Sequence, residues 1–395
     1  AGRDKKLSPN HARVRELGAQ MGAYGGWERA NWFAEPGDDV SEEATQTWAR
    51  QGPWEPRVRA EAEAVRDAAG LLDLAGFSRY RLRGAGAAAF LAGLCAGALP
   101  AVGRLGLLYF ADARGRIVTE MSAMRIAEDD ILLITAAAAQ WHDLAWLAQS
   151  ARPEGAAFTL EDVTRAEHCA LLTGPKAREI LAPLTDADLS RPWLTHQAAQ
   201  VAGAPARLAR VSFAGELGWE IHTAAADAPA VYDALLAAGR PLGLRPFGMF
   251  ALDSLRIEKG YRAWKGDLST DYTLIEGGLE RFLRLDKPEA FPGKSALAHE
   301  RARGPVKRFV TLVVEAGDCD APYMATLWSG DEIVGEVTSG RWGYRVGASV
   351  ALGMLRSDLA KPGRKIAVEI YGERKAAVVQ PDGPLWDPEN ARLKA

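Results

Sequence analysis

From residue 57 to about residue 292 the sequence alternates short β-branched runs with Ala/Leu-rich segments whose apolar residues recur at three and four, and beyond Gly304 it changes to short alternating strands broken by glycine. The first texture predicts mixed α/β packing rather than a bundle or a sandwich. The second predicts a small β-barrel or β-sandwich appended as its own domain. Helices are expected over 61–68, 85–95, 138–151, 175–184, 228–238 and 247–259, and barrel strands over 308–315, 324–328, 333–339, 349–355, 365–370 and 374–379. Upstream, a helix over 11–21, a Gly-Gly turn and an aromatic-rich run over 27–33 precede a polar, acidic link over 35–56. At 395 residues the chain is too long for one ordinary core. Three regions follow: 1–56, 57–303 and 304–395.

Hydrophobic residues at 48% and charged residues at 25% exclude a disordered chain, and a net charge of −3 provides no basic excess for nucleic acid. Cys95, Cys169 and Cys319 are odd in number and form no CxxC pair, which argues against a disulfide framework and a structural zinc site. A reducing, cytoplasmic setting is expected. The longest apolar run, ending near Gln140, is about ten residues against the roughly 20 that span a bilayer, so no membrane partner is expected. The start, Ala1-Gly2-Arg3-Asp4, has no initiator Met and no apolar h-region, and reads as a processed or excised end.

Gly84-Ala85-Gly86-Ala87-Ala88-Ala89 mimics a dinucleotide loop, yet the region about 20 positions on holds Arg104 and no acid for a ribose hydroxyl. A plain strand-to-helix turn is the expectation, with no flavin or nicotinamide held by this chain. The six histidines show no metal-ligand spacing, so no metal is expected. His168 adjoins Cys169, but strand neighbours point to opposite faces. In the strand-like 117–126, alternation puts Val118, Glu120 and Ser122 on one face and Thr119, Met121 and Ala123 on the other. That face is either a solvated surface or the seat of a general base whose pKa burial would set. The stretch 211–221 reads as a strand, a tight Ala214-Gly215 turn and a second strand from Trp219, with Glu216 and Glu220 separated by Leu217 and Trp219. It is either an ordinary hairpin or a seat for a flat heterocycle such as a pterin, whose ring N–H and amine a carboxylate can accept side by side.

In this order the pieces resemble the aminomethyltransferase (glycine-cleavage T-protein) family. The resemblance rests on Val211 to Ile221, on Leu255-Arg256-Ile257-Glu258-Lys259-Gly260 in the helix after it, and on Leu171-Leu172-Thr173-Gly174-Pro175-Lys176 before it. Gly26-Trp27-Glu28-Arg29-Ala30-Asn31-Trp32-Phe33 and Leu252-Asp253-Ser254-Leu255-Arg256 bring it nearest to the tetrahydrofolate-binding half of dimethylglycine and sarcosine dehydrogenases.

The resemblance implies a three-domain cloverleaf with a C-terminal β-barrel, and tetrahydrofolate as cofactor. It implies one-carbon transfer from an N-methylated amine, or its oxidised iminium or formaldehyde equivalent, to give methylene-tetrahydrofolate, with a flavin dehydrogenase domain or subunit as partner. Glu120 falls where the family places its carboxylate near the reactive nitrogens, flanked by Met121 and Ser122. Phe213 stands where Tyr is usual. Glu220, Ile221 and His222 fall on the pterin-binding segment, Glu220 as bidentate partner. Arg281 replaces a Tyr of the site lining, and Leu252 replaces an Arg of the T-protein branch. The Arg281 cation suggests an alternative, a demethylase passing an intact methyl group from a sulfonium, quaternary amine or methoxy donor. Loss of Tyr at two lining positions would permit another, a non-catalytic regulatory subunit.

Overall fold

The computed structural model describes residues 3–395. Its first departure from expectation lies near the start, where the helix ends at His11–Glu16 and the chain turns into strand β1 (Ala19–Tyr24), paired antiparallel with β2 (Trp27–Phe33). Gly18 is the reason. Its φ is +92°, a left-handed conformation, and a Cβ there would lie 2.5 Å from the Ala34 carbonyl oxygen, so the chain breaks at this point instead of continuing a helical turn.

Eleven further strands build two sheets: β3 (Ala69–Asp73), β4 (Phe77–Ala85), β5 (Leu105–Ala111), β6 (Ile117–Ala127), β7 (Asp130–Ala136), β8 (Ala157–Asp162), β9 (Glu167–Thr173), β10 (His196–Val201), β11 (Ala204–Ala209), β12 (Gly218–Ala224) and β13 (Leu244–Pro246). One sheet has the order β10-β11-β12-β9-β3-β13, the other β5-β6-β7-β4-β8. Every pairing in them is antiparallel except β13 with β3, so strand–helix alternation did not here produce a parallel sheet.

Helix Ala228–Gly239 covers one face of the six-stranded sheet, burying Tyr232 and Leu235 against Leu172, Trp219 and Ile221. Val14, Ala30 and Phe33 join this core, so the N-terminal segment is packed into the same unit. Each large apolar side chain among these contributes roughly 1.5–3 kcal/mol by leaving water. The other face packs on helices Trp54–Asp67 and Met249–Ile257 through Leu72, Leu171, Val58 and Leu252. Glu61 ties these pieces together, its two carboxylate oxygens accepting the backbone N–H of Phe33 at 2.7 Å and of Gly248 at 2.9 Å.

Six strands close the C-terminal barrel: β14 (Lys307–Val314), β15 (Thr326–Ser329), β16 (Glu332–Gly343), β17 (Ala348–Arg356), β18 (Lys365–Ile370) and β19 (Glu373–Val379). All six lie within a few residues of their expected positions. Helix Lys294–Arg303, before the barrel, was not expected; its weak apolar stripe buries only Leu297 and Glu300. Among the described residues no helix is long and apolar enough to cross a membrane.

Candidate functional site

On β6 the burial alternates as the residue pattern requires: Thr119, Met121 and Ala123 are fully buried, while Glu120 and Ser122 are half-buried on the opposite face. Glu120 lies directly across from Tyr109 of β5, and the Tyr109 hydroxyl acts on the titration of the Glu120 carboxyl. Burial pushes the Glu120 carboxyl up to about 7, against the opposing pull of the Tyr109 hydroxyl and the Arg262 guanidinium, with Asp267 adding to the rise. The cation is held rigidly. Arg262 Nε donates to the Gly277 carbonyl at 2.7 Å, and the guanidinium lies 4.0 Å from the Phe309 ring centre. Asp267 has its own partners, Arg256 Nη1 at 2.7 Å and the Ala263 N–H at 2.8 Å, and among the described residues Arg262 has no carboxylate partner.

A ring pair stands near. Phe213 stacks on Tyr261 at 5.6 Å between centres and 25° between planes, and Phe213 remains 38% exposed. Burial pushes the Tyr261 hydroxyl up to about 12, opposed by Arg281 and Arg345. Arg281 is exposed and its charge also reaches Tyr109, which links the Phe213–Tyr261 pair to the Glu120–Tyr109 pair. Phe282 fills the space between, 4.8 Å from the Arg281 cation and 5.0 Å from the Tyr109 ring.

The stretch expected as a hairpin has a different shape. Residues 210–217 form a loop, not a strand, because Ser212 turns it locally: its Oγ accepts from Ala214 N–H at 3.2 Å and bonds Thr173 Oγ1 at 2.8 Å. Glu216 is not part of an open site. It is 1% exposed and receives Arg345 Nη1 at 2.9 Å, Trp386 Nε1 at 2.7 Å and Arg392 Nε at 2.7 Å, pinning the loop to the barrel and the C-terminal tail.

Glu220 is half-buried on β12, and its Oε2 lies 3.2 Å from His222 Nε2, which in turn lies 3.8 Å from Cys169 Sγ. Among the described residues the other Glu220 oxygen has no hydrogen-bond partner. Wide sequence separation hid this Cys169–Glu220–His222 group from any spacing rule. His168 points to the opposite face, as expected, and pairs with Asp73 at 2.5 Å. An apolar seam of Leu105, Met124, Leu132 and Ala209, with Ile134 and Val211, joins the two sheets. Ser122 is the cross-strand partner of Ile134 and Glu220 that of Ala209, so both carboxylate strands border one seam.

Of the expected site residues, the structure therefore gathers Glu120, Phe213 and Arg281 around Tyr109 and Tyr261, and sets Glu220 with His222 across the seam. Met121 and Ile221 send their side chains into the cores behind their sheets, which leaves only their backbone for a ligand. Leu252 is likewise a core residue. Tyr109, Tyr261 and Arg262 were not foreseen as site residues; nothing in the local pattern marks Tyr109 until strand pairing places it opposite Glu120.

Residues 10–287 match the family model described as the GCVT N-terminal domain, and residues 307–387 that of the glycine cleavage T-protein C-terminal barrel domain. Rat (Rattus norvegicus) mitochondrial dimethylglycine dehydrogenase is 31% identical over 398 residues, covering 100% of this chain and 46% of that protein. The aminomethyltransferase of Saccharopolyspora erythraea is 33% identical over 345 residues, covering 85% of this chain and 94% of that protein. The crystal structure of glycine cleavage system aminomethyltransferase T from Bartonella henselae shares the fold, with a TM-score of 0.83 at 24% identity over 97% of this chain and 98% of that one. This chain spans about half the length of the dehydrogenases it matches.

Proposed function

This chain belongs to the aminomethyltransferase (glycine-cleavage T-protein) family, and we propose that it moves a one-carbon unit from an N-methylated amine, or from its oxidised iminium or formaldehyde equivalent, onto tetrahydrofolate to give methylene-tetrahydrofolate. The observation that carries the reading is Glu120, a carboxyl group that burial raises to about 7 beside a tyrosine hydroxyl and a fixed arginine.

The donor set suits a reduced pterin. Glu220 offers a half-buried carboxylate with one oxygen unengaged, able to accept from a ring N–H and an exocyclic amine. Phe213, exposed and backed by Tyr261, offers a flat apolar wall for a ring. Tetrahydrofolate supplies, when bound, the nitrogens that take up the carbon. Glu120 is the group able to hold or release a proton near those nitrogens, because near pH 7 it is populated in both forms. Tyr109 fixes its direction, and Arg262 stabilises its carboxylate form without taking the proton. Arg281 gives the mouth of the site a positive charge suited to a donor that carries a carboxylate. In the transfer from an iminium, the donor's C=N bond is replaced by bonds to two folate nitrogens; the two protons those nitrogens lose go to the departing amine, and no oxidant is consumed. Holding donor and acceptor together is worth up to about 7–11 kcal/mol of barrier.

A flavin dehydrogenase domain or subunit is the proposed source of the oxidised donor, since relatives twice as long carry the name dimethylglycine dehydrogenase. Glu120→Gln tests the reading. With tetrahydrofolate and an enzymatically generated iminium donor, the wild type is expected to form an adduct with the mass of methylene-tetrahydrofolate. The variant should keep folate affinity within about threefold while losing 10²–10⁴ in rate, the usual worth of a positioned acid–base group. An adduct heavier by two hydrogens would assign intact methyl transfer instead, and full activity in the variant would remove Glu120 from the chemistry.

A further inference from the structure

The two central strands of the six-stranded sheet bring together three groups that the proposed transfer does not use as a set. Cys169 on β9 is the cross-strand partner of His222 on β12, and Glu220 stands two residues before His222 on the same face. Cys169 Sγ, His222 Nε2 and a Glu220 carboxylate oxygen all lie within 4.8 Å of one another. His222 Nε2 is in the middle, 3.2 Å from Glu220 Oε2 and 3.8 Å from Cys169 Sγ. Among the described residues no other group of histidine, cysteine and carboxylate side chains converges in this way.

Zinc takes imidazole nitrogen at about 2.0–2.1 Å, carboxylate oxygen at about 2.0–2.2 Å and thiolate sulfur at about 2.3 Å, so its ligand atoms stand roughly 3–4 Å apart. Both separations from His222 Nε2 fall in that range. A sulfur and a nitrogen in the set disfavour magnesium and calcium, which prefer oxygen, and suit zinc or cobalt. Thiolate and carboxylate together carry two negative charges, matching a divalent ion where an unbalanced buried charge would be costly. Burial, with Glu220 and Asp73, outweighs Arg79 and pushes the Cys169 thiol well up, so an arriving ion displaces its proton. Nothing among the described residues holds His222 Nδ1, so the ring is not locked with its proton on Nε2. Cys169 and His222 are buried, whereas 19% of the Glu220 side chain is exposed, which makes the carboxylate side the way in. Three protein ligands and one open position describe an exchangeable site rather than a closed structural one.

We propose that Cys169, Glu220 and His222 form a binding site for a single zinc ion, with a fourth position left to water or a small ligand. The site does not depend on the folate reading; its consequence, that ion and pterin exclude one another at Glu220, rests on that reading. Cobalt(II) is the probe, added alone to the whole chain under anaerobic conditions. It should give a near-ultraviolet sulfur-to-cobalt charge-transfer band and the strong visible bands of a four-coordinate ion, saturating at one ion per chain and displaced by zinc. Cys169→Ser should remove the charge-transfer band and weaken zinc roughly 100-fold or more, since loss of an outer-shell partner alone costs about 10–100-fold. Cys319→Ser, at the more accessible thiol, should keep the band. No such band in the wild type, a band that survives in Cys169→Ser, or one that disappears in Cys319→Ser would overturn the assignment. Should Cys169→Ser fail to give a cooperative melt, His222→Gln decides, and an unchanged cobalt spectrum there overturns it equally. Tetrahydrofolate takes no part in this titration, so its failure would leave the folate reading standing.

Discussion

At the scale of single residues the proposed chemistry turns on where a proton resides. Glu120 on its own strand is one carboxylate among small and apolar neighbours; only the pairing of β5 with β6 surrounds it with Tyr109 and brings Arg262 near. Because burial raises its carboxyl to about 7, the base form grows as pH rises through that value. The rate of carbon transfer is expected to show an inflection near pH 7 that is absent from the residual rate of Glu120→Gln, measured by single-turnover mixing across pH 5.5–8.5. The same shift has a stability consequence of opposite sense. A carboxyl whose folded value lies above its unfolded one contributes stability that is complete below the unfolded value near 4.5 and is lost as pH rises through about 7. Urea midpoints of Glu120→Gln should therefore rise relative to those of the wild type between pH 5 and pH 8; a variant-minus-wild-type difference that stays flat or falls would show that Glu120 is not raised.

Between elements, Glu61 illustrates how polar atoms decide which faces meet. It stands on the buried side of helix Trp54–Asp67 and accepts one N–H from the end of β2 and one from the start of helix Met249–Ile257. Replacing it with Gln turns an amide NH2 toward one of these donors, which costs about 1–3 kcal/mol, the penalty of one unsatisfied buried group. Equilibrium denaturation should show that loss in midpoint with an unchanged slope, and an unchanged midpoint would mean that water or backbone shifts replace the clamp. The helices and barrel strands were legible in the residues because their apolar periodicity is strong. The end of the first helix was not, since its cause is the close approach of Gly18 to Ala34, a contact set by β1–β2 pairing. Residues 210–217 were misjudged for a similar reason: the Ser212 hydroxyl competes with a strand ladder through bonds to Thr173, some forty residues away.

For the molecule as a whole, Arg345 connects what the sequence presents as separate textures. Its buried guanidinium meets Glu216 from the loop before β12, Glu258 from the end of helix Met249–Ile257, and the carbonyls of Ala214 and Leu255. Arg345→Met would leave Glu216 and Glu258 short of their shared cation and should destabilise the chain by about 3–5 kcal/mol, read as a fall in denaturation midpoint. If the barrel then melts as a separate transition, the hub is what couples it to the rest. In the sequence Glu216 stands beside Glu220 as one of two carboxylates of the 211–221 stretch, whereas in the fold Glu216, like Glu258, is a buried anchor, and Glu120 and Glu220 differ from both by retaining an accessible side and an incomplete set of partners. That distinction requires the folded arrangement. The central claim is that Glu220 and the Phe213 wall hold tetrahydrofolate, and the direct measurement is calorimetric titration of wild type and Glu220→Gln with tetrahydrofolate under anaerobic conditions. Saturable one-to-one binding, weakened roughly 10- to 100-fold in the variant as expected for losing a charged hydrogen-bond acceptor, is the predicted result; no saturable heat from the wild type, or equal affinity in both proteins, would contradict it.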